Sequence, residues 1–209
     1  RVNGKNFSNE ELVEAIQYAK LRGVKTHLTL NILIKNDEFL DAIKLVEVAY
    51  NAGLDAIIIQ DLGFAKKVME LFPRLEVHSS TQMTIYNLDG VKQIEKLGFS
   101  RCVLARELSI EEIEYIAKNT KIEIEVFIHG ALCISYSGQC LMSSMIGGRS
   151  GNRGKCAGSC RLPYTLLKDE QEKEKIYLLS SKDVCTLDLI PELIHSGVKS
   201  FKIEGRMKS

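Results

Sequence analysis

Five of the six cysteines lie between residues 133 and 185, at Cys133, Cys140, Cys156, Cys160 and Cys185, while Cys102 stands apart inside an apolar run. Thiols clustered in this way suit a metal centre or redox work, because the thiolate is both the ligand and the nucleophile. Six residues separate Cys133 from Cys140 and fifteen separate Cys140 from Cys156, so only Cys156 and Cys160 form the close pair usual in structural zinc sites. Irregular spacing on a glycine-rich wrap suits an iron–sulfur cluster, whose sulfurs accept hydrogen bonds from backbone N–H groups. Zinc is the alternative metal, and Cys102 reads as a core residue.

The segment that carries these thiols is chemically unlike the rest. From residue 130 to 168 there is no Asp or Glu, whereas Arg149, Arg153, Lys155, Arg161 and Lys168 contribute +5, and seven of the fifteen glycines fall there. Glycine lets the backbone approach a phosphate closely and guanidinium groups pair with it, so Arg149, Arg153, Lys155 and Arg161 are the expected nucleic-acid contacts. A second polar set, Asn31, Asp61, His78, Arg106, His129, Lys182 and Glu204, stands where apolar, strand-like runs end. Of these, His78 and His129 are expected to move protons, since imidazole changes charge near neutral pH, and Glu204 completes the expected catalytic set. Arg106, Lys182 and Arg206 are expected to bind a small anionic molecule, the guanidinium groups pairing bidentately with carboxylate.

Those positions need a scaffold that brings strand ends together. Helix signals, including the capping-box spacings Ser8 to Glu11 and Ser109 to Glu112, alternate with short apolar runs predicted as strands at 24–30, 55–59, 75–77, 101–105, 122–128, 176–179 and 200–203. Alternation of this kind requires a parallel sheet. Seven strands preceded by a helix predict an α/β fold, a (β/α)8 TIM-like barrel lacking its first βα unit, with a Cys/Gly-rich basic insertion over about 130–168. An open doubly wound sheet is the alternative. The chain is expected to be one barrel-domain fragment over 1–209, with an N-terminal strand and C-terminal regions of a longer protein outside it. Barrel enzymes assemble their sites at the C-terminal ends of the strands, where the polar set falls.

Composition narrows the classes further. With 45% hydrophobic and 26% charged residues, and 28 basic against 27 acidic side chains, the chain is neither disordered nor a histone-like polycation. Six cysteines in 209 residues are too few for a disulfide scaffold. The absence of a long apolar run and of a signal peptide gives the expectation of a soluble, cytoplasmic protein.

The run Glu125-Val-Phe-Ile-His-Gly-Ala-Leu-Cys133, followed by Ser135-Tyr-Ser-Gly-Gln-Cys140-Leu-Met-Ser143, resembles the signature of the peptidase U32 family, also called collagenase-like proteases. The segments His78-Ser-Ser-Thr-Gln82, Leu104-Ala-Arg-Glu-Leu108, Arg149-Ser-Gly-Asn-Arg-Gly154, Ser181-Lys-Asp183 and Lys202-Ile-Glu-Gly-Arg-Met-Lys208 extend the likeness from about residue 5 to the end. The resemblance implies an RNA hydroxylase that installs a 5-hydroxyl on a pyrimidine of 23S rRNA or tRNA, carries a 4Fe–4S cluster and requires prephenate, a small dicarboxylate. Carried over by position, the ligands are Cys133, Cys140, Cys156 and Cys185, with Cys160 the competing fourth. Two other readings stand beside it. One is a peptidase with Cys133 as nucleophile and His129 as base, against which several thiols in company and the lack of an H-E-x-x-H zinc motif both argue. The other is a non-enzymatic RNA-binding module with a structural metal.

Overall fold

The structure, a computed structural model, describes residues 6–168 and 171–205. Arg206 lies outside the described residues. Both capping boxes form. Ser8 opens α1 (Asn9–Lys20) and Ser109 opens α5 (Ile110–Lys118), each hydroxyl accepting from the N–H of a glutamate three residues on, whose carboxylate accepts in return from the serine N–H. Asp61 caps α3 (Leu62–Leu71) and Asn87 caps α4 (Leu88–Lys96) through side-chain oxygens, while α2 (Phe39–Ala52) ends on Gly53 in the left-handed region at φ 94°.

Between these helices run β1 (His27–Leu30), β2 (Ala56–Ile59), β3 (Glu76–Ser79), β4 (Arg101–Val103) and β5 (Glu123–Ala131), each parallel to its predecessor. β9 (Ser200–Ile203) adds in parallel to β5. Ile57, Ile59, Val77, Cys102, Leu104 and Ile124 face the helices and pack on Val46, Phe64, Val68, Val91, Ile94 and Ile116 in one buried cluster. Cys102 is thus a core residue, its thiol pushed up to about 12 by burial.

The architecture departs from the expected barrel. Six parallel strands form a curled half-barrel, and among the described residues β1 pairs only with β2 while β9 pairs only with β5. No strand of the main sheet occupies 176–179. Instead β6 (Tyr164–Lys168) and β7 (Gln171–Ile176) pair antiparallel as a separate two-stranded sheet, a local contact that closes a much shorter loop than a return to the main sheet would. Lys182 therefore precedes a strand rather than ending one. That strand, β8 (Asp183–Cys185), pairs antiparallel with the last residues of β5, and α7 (Ile190–His195) follows it.

Side chains alternate between the two faces of each strand. On the concave face the alternation gathers His27, His78, Arg101, Glu125, Ser200 and Lys202. Glu125, 4% exposed, accepts from Arg101 Nη1 at 3.1 Å, from Ser200 Oγ at 2.8 Å and from Lys202 Nζ at 2.8 Å, while Arg101 Nη2 donates to Glu123 at 2.6 Å. Burial pushes the Glu125 carboxyl up, but Lys202, Ser200 and Arg101 outweigh it and hold it below the ordinary value. A buried charge with several partners tolerates its site, whereas the same charge stripped of one partner costs about 3–5 kcal/mol. His78 Nε2 lies 3.3 Å from Glu76, its ring 5.0 Å from that of His27 and edge-on to it. Burial, then the nearby Arg101, lowers the His78 pKa from 6.5 to about 4, and the same two causes lower that of His27.

These values set a pH window. Below pH 6.5 the unfolded chain protonates position 78 while the folded one resists until about 4, so folding stability falls as pH drops across that interval. Urea midpoints measured from pH 7 to pH 4 are expected to decline in the wild type and to decline less steeply in His78→Asn. A second expectation concerns the contact of β5 with β9. At Gly130, φ 142°, an added Cβ would stand 2.6 Å from Glu204 Cβ. Gly130→Ala is therefore expected to destabilise the fold by about 1–3 kcal/mol, the usual range for overpacking, read by chemical denaturation.

Candidate active site

At the C-terminal edge of the parallel strands lies a cavity of about 430 Å³. The ends of β1, β2 and β3 contribute Asn31, Ile58, Ser80 and Gln82 to it; the segment after β4 adds Arg106 and Glu107; β5 gives Phe127, and β9 and the residue after it give Lys202 and Glu204. The insertion closes the rest with Cys133, Cys140, Cys156, Cys160 and Arg161.

Four thiols thus line one wall. Three of them are already supported by backbone donors two residues on: Ser135 N–H to Cys133 Sγ at 3.4 Å, Met142 N–H to Cys140 Sγ at 3.4 Å and Gly158 N–H to Cys156 Sγ at 3.3 Å. Hydrogen bonds of this kind stabilise a thiolate and tune a bound centre. Buried Ser143, on α6 (Met142–Gly147), ties two of the segments together, its Oγ accepting from Ala157 N–H at 2.9 Å and lying 3.7 Å from Cys156 Sγ. Among the described residues no three His, Cys, Asp or Glu side chains converge tightly enough to hold a single metal ion. Cys185 is exposed on β8, opposite His129, and is not part of the cavity wall.

Arg106 is clamped. Its Nη1 donates to Ala131 O at 2.5 Å and lies 2.9 Å from Glu204 Oε2, and its guanidinium sits 3.9 Å above the Phe127 ring. Its Nε is buried without a hydrogen-bond partner among the described residues, and so is Gln82 Oε1. The turns beside them are strained: Thr84 and Ser137 take positive φ, 55° and 41°, which costs a non-glycine residue about 1–2 kcal/mol. Hydrogen bonds hold them there. Ser137 N–H and Oγ donate to Glu107, and Gln139 Nε2 donates to Gln82 O at 2.5 Å and to Thr84 Oγ1 at 3.2 Å.

The basic insertion is strapped over this cavity rather than free in solvent. Asn152 donates to Gln60 Oε1 at 2.7 Å and accepts from Leu33 N–H at 3.2 Å. Arg153 reaches Leu33 O and the Glu38 carboxylate, holding that carboxyl below its ordinary value through the hydrogen bond. On the other side Arg161 donates to Leu132 O at 2.7 Å, to Ser180 Oγ at 3.0 Å and to Ser181 O, and pairs with Asp183.

The structure therefore brings together Cys133, Cys140, Cys156, Cys160, Arg106, Arg161 and Glu204 from the sets expected on sequence. It leaves His78 buried outside the cavity wall and His129 exposed on β5, where its carbonyl accepts from Glu204 N–H at 2.9 Å. Arg153 and Arg161 face inward to carbonyls and carboxylates. Arg149 is exposed, with Nε on Lys155 O at 3.0 Å, and Lys182 is exposed away from the wall. Gln82, Glu107 and Lys202 line the cavity although sequence reasoning assigned them no role there. The signal for Lys202 was present, two residues before Glu204 and so on the same strand face.

Peptidase family U32 matches across residues 1–209. The chain is 44% identical to the 23S rRNA 5-hydroxycytidine C2501 synthase of Escherichia coli, over 97% of this chain and 31% of that protein. It is 37% identical to tRNA hydroxylation protein P1 of Bacillus subtilis, over all of this chain and 51% of the relative, and 34% identical to a collagenase of Porphyromonas gingivalis, over 97% and 52%. It thus spans from just under a third to about half the length of these relatives. The U32 peptidase Mk0906 shares the fold, with a TM-score of 0.60 at 13% identity over 97% of this chain and 78% of that one. From the match along its whole length, the chain belongs to peptidase family U32.

Proposed function

We propose that this chain is the core of an RNA hydroxylase that adds a 5-hydroxyl to a pyrimidine, of rRNA or tRNA, beside an iron–sulfur centre. The observation that carries the reading is the wall of four thiols, three with N–H donors on their sulfurs, facing a cavity that clamped polar side chains also line. A single zinc ion needs its ligands within about 2.3 Å of one point, whereas a 4Fe–4S cluster takes its four thiolates on separate irons, and a glycine-rich wrap with N–H donors on the sulfurs suits the latter. Cys133, Cys140 and Cys156 belong to either four-ligand set, and the fourth thiol comes from Cys160 on the wall or Cys185 on β8. A bound cluster would supply one-electron chemistry. Around it, the chain's own residues exclude water and fix orientation: the Asn152, Arg153 and Arg161 straps hold the insertion down, and Arg106 ties three strand ends.

RNA hydroxylation is the activity named for the relatives from Escherichia coli and Bacillus subtilis. The requirement for prephenate belongs to the same proposal, with Arg106 and Lys202 as the wall cations for its carboxylates. RNA contact falls to exposed Arg149 and to Lys155, since Arg153 and Arg161 are engaged within the chain. The peptidase alternative fares worse on geometry: His129 is not on the wall that carries Cys133, and no hydrogen bond joins the two among the described residues.

Anaerobic purification is expected to yield a coloured protein containing iron and sulfide. Cys140→Ser should lose both, and mass spectrometry of RNA should show the hydroxypyrimidine absent from a strain carrying it. Of Cys160→Ser and Cys185→Ser, one removes the iron and the other retains it. A colourless, iron-free wild type, or unchanged hydroxypyrimidine in the Cys140→Ser strain, would defeat the reading.

A further inference from the structure

Among the described residues Cys156 has a donor beside it that the other wall thiols lack. Backbone N–H groups reach the sulfurs of Cys133, Cys140 and Cys156, but Cys156 Sγ also meets a side-chain hydroxyl, Ser143 Oγ at 3.7 Å. A serine hydroxyl on a helix commonly points to solvent or turns back on its own backbone. Among the described residues Ser143 does neither: it is 6% exposed, and its oxygen is met from outside the helix by Ala157 N–H at 2.9 Å.

A hydroxyl has one proton and two lone pairs. With Ala157 N–H on a lone pair the proton is left for an acceptor, and Cys156 Sγ is the acceptor it meets. Arg149 N–H donates to Ser143 O at 3.0 Å and fixes the main chain there, while Ala157 follows Cys156 directly, so an N–H and a sulfur from consecutive residues address one oxygen. The same turn serves a second thiol, since Met142 N–H reaches Cys140 Sγ at 3.4 Å. A Cβ at Gly151 would stand 3.5 Å from Cys140 O and 3.7 Å from Cys156 Cβ, which sets those two segments against each other.

We propose that Ser143 is a positioning residue for the iron–sulfur centre, donating its O–H to the Cys156 thiolate and so raising the reduction potential. Reduction adds negative charge to a cluster and its thiolates, and a donor on a ligand sulfur stabilises that charge more in the reduced form than in the oxidised one. An O–H fixed by burial and by Ala157 needs no reorganisation as the electron arrives. Accepting from Ala157 N–H also polarises the hydroxyl toward its own donation. The inference rests on the iron–sulfur reading above and adds to it the side chain that sets the electronics.

The test is the midpoint potential of the intact, anaerobically prepared protein, followed by visible absorption and electron paramagnetic resonance without RNA or turnover. Ser143→Ala is expected to retain iron and sulfide and to shift the reduction equilibrium about tenfold toward the oxidised form, a fall of about 59 mV for one electron. Ser143→Thr, which keeps the hydroxyl, should stay near the wild type. An unmoved potential in a loaded Ser143→Ala protein, or a fall in Ser143→Thr as large as in Ser143→Ala, overturns the assignment; a residue that only tied two segments together would move the urea midpoint and not the potential. Should Ser143→Ala not fold, Ser143→Thr and Ser143→Val, alike in shape and different in the hydroxyl, are compared instead, and equal potentials overturn it. Failure of all three to take up iron does so too, because Ser143 would then hold the centre together instead of tuning it. A wild type without iron ends the cluster reading as well, whereas a loaded wild type whose potential these variants leave alone ends this one only.

Discussion

The guanidinium of Arg106 is the point on which the cavity depends. It leaves the end of β4, reaches the carbonyl of Ala131 at the end of β5, meets the carboxylate of Glu204 just past β9 and lies on the ring of Phe127. Three strand ends that could splay are thereby fixed to one planar group, and planarity is what an ammonium could not supply. Because Gly130 lacks a Cβ, Glu204 can approach β5 closely enough for this to happen.

Beneath the clamp lies an unusual bed for an α/β sheet. A concave face is commonly filled with branched apolar side chains; here Glu125, Arg101, Lys202 and Ser200 form a bonded set, with His78 and His27 beside it. Each partner offsets the desolvation of another, so the set tolerates burial only as a whole. The apolar half of the sheet, from Ile57 to Ile124, carries the hydrophobic packing on the helices and relieves the concave face of that duty. One face supplies cohesion and the other supplies a polar floor on which Lys202 reaches the cavity.

Periodicity and capping made the α/β alternation legible, and the strand ends pointed to the edge where the cavity lies. Arg106, Glu204 and the wall cysteines are there because charged or thiol side chains at strand ends and on a glycine-rich wrap carry a local signal. Other features depend on distant partners and have none. Nothing local says that Arg153 will meet Glu38, so a basic loop reads as a nucleic-acid contact when it is in part a strap. His78 looks like a strand-end histidine, yet it precedes the end of β3 and points into the bed instead of the cavity. The 176–179 run is apolar enough for a central strand, but the chain before it pairs with Tyr164–Lys168.

The straps explain why the insertion combines glycine with arginine. A segment of 37 residues from the end of β5 to the end of β6 would lose much conformational entropy on folding over a cavity, and glycine increases that loss. Arginine offsets it by making several hydrogen bonds per side chain: Arg161 alone reaches the carbonyl oxygens of Leu132 and Ser181 and the Oγ of Ser180. The positive charge of the segment is therefore partly structural. It holds the thiols against the strand ends, and the donors left over, at Arg149 and Lys155, lie outside the cavity wall where a polyanion could meet them.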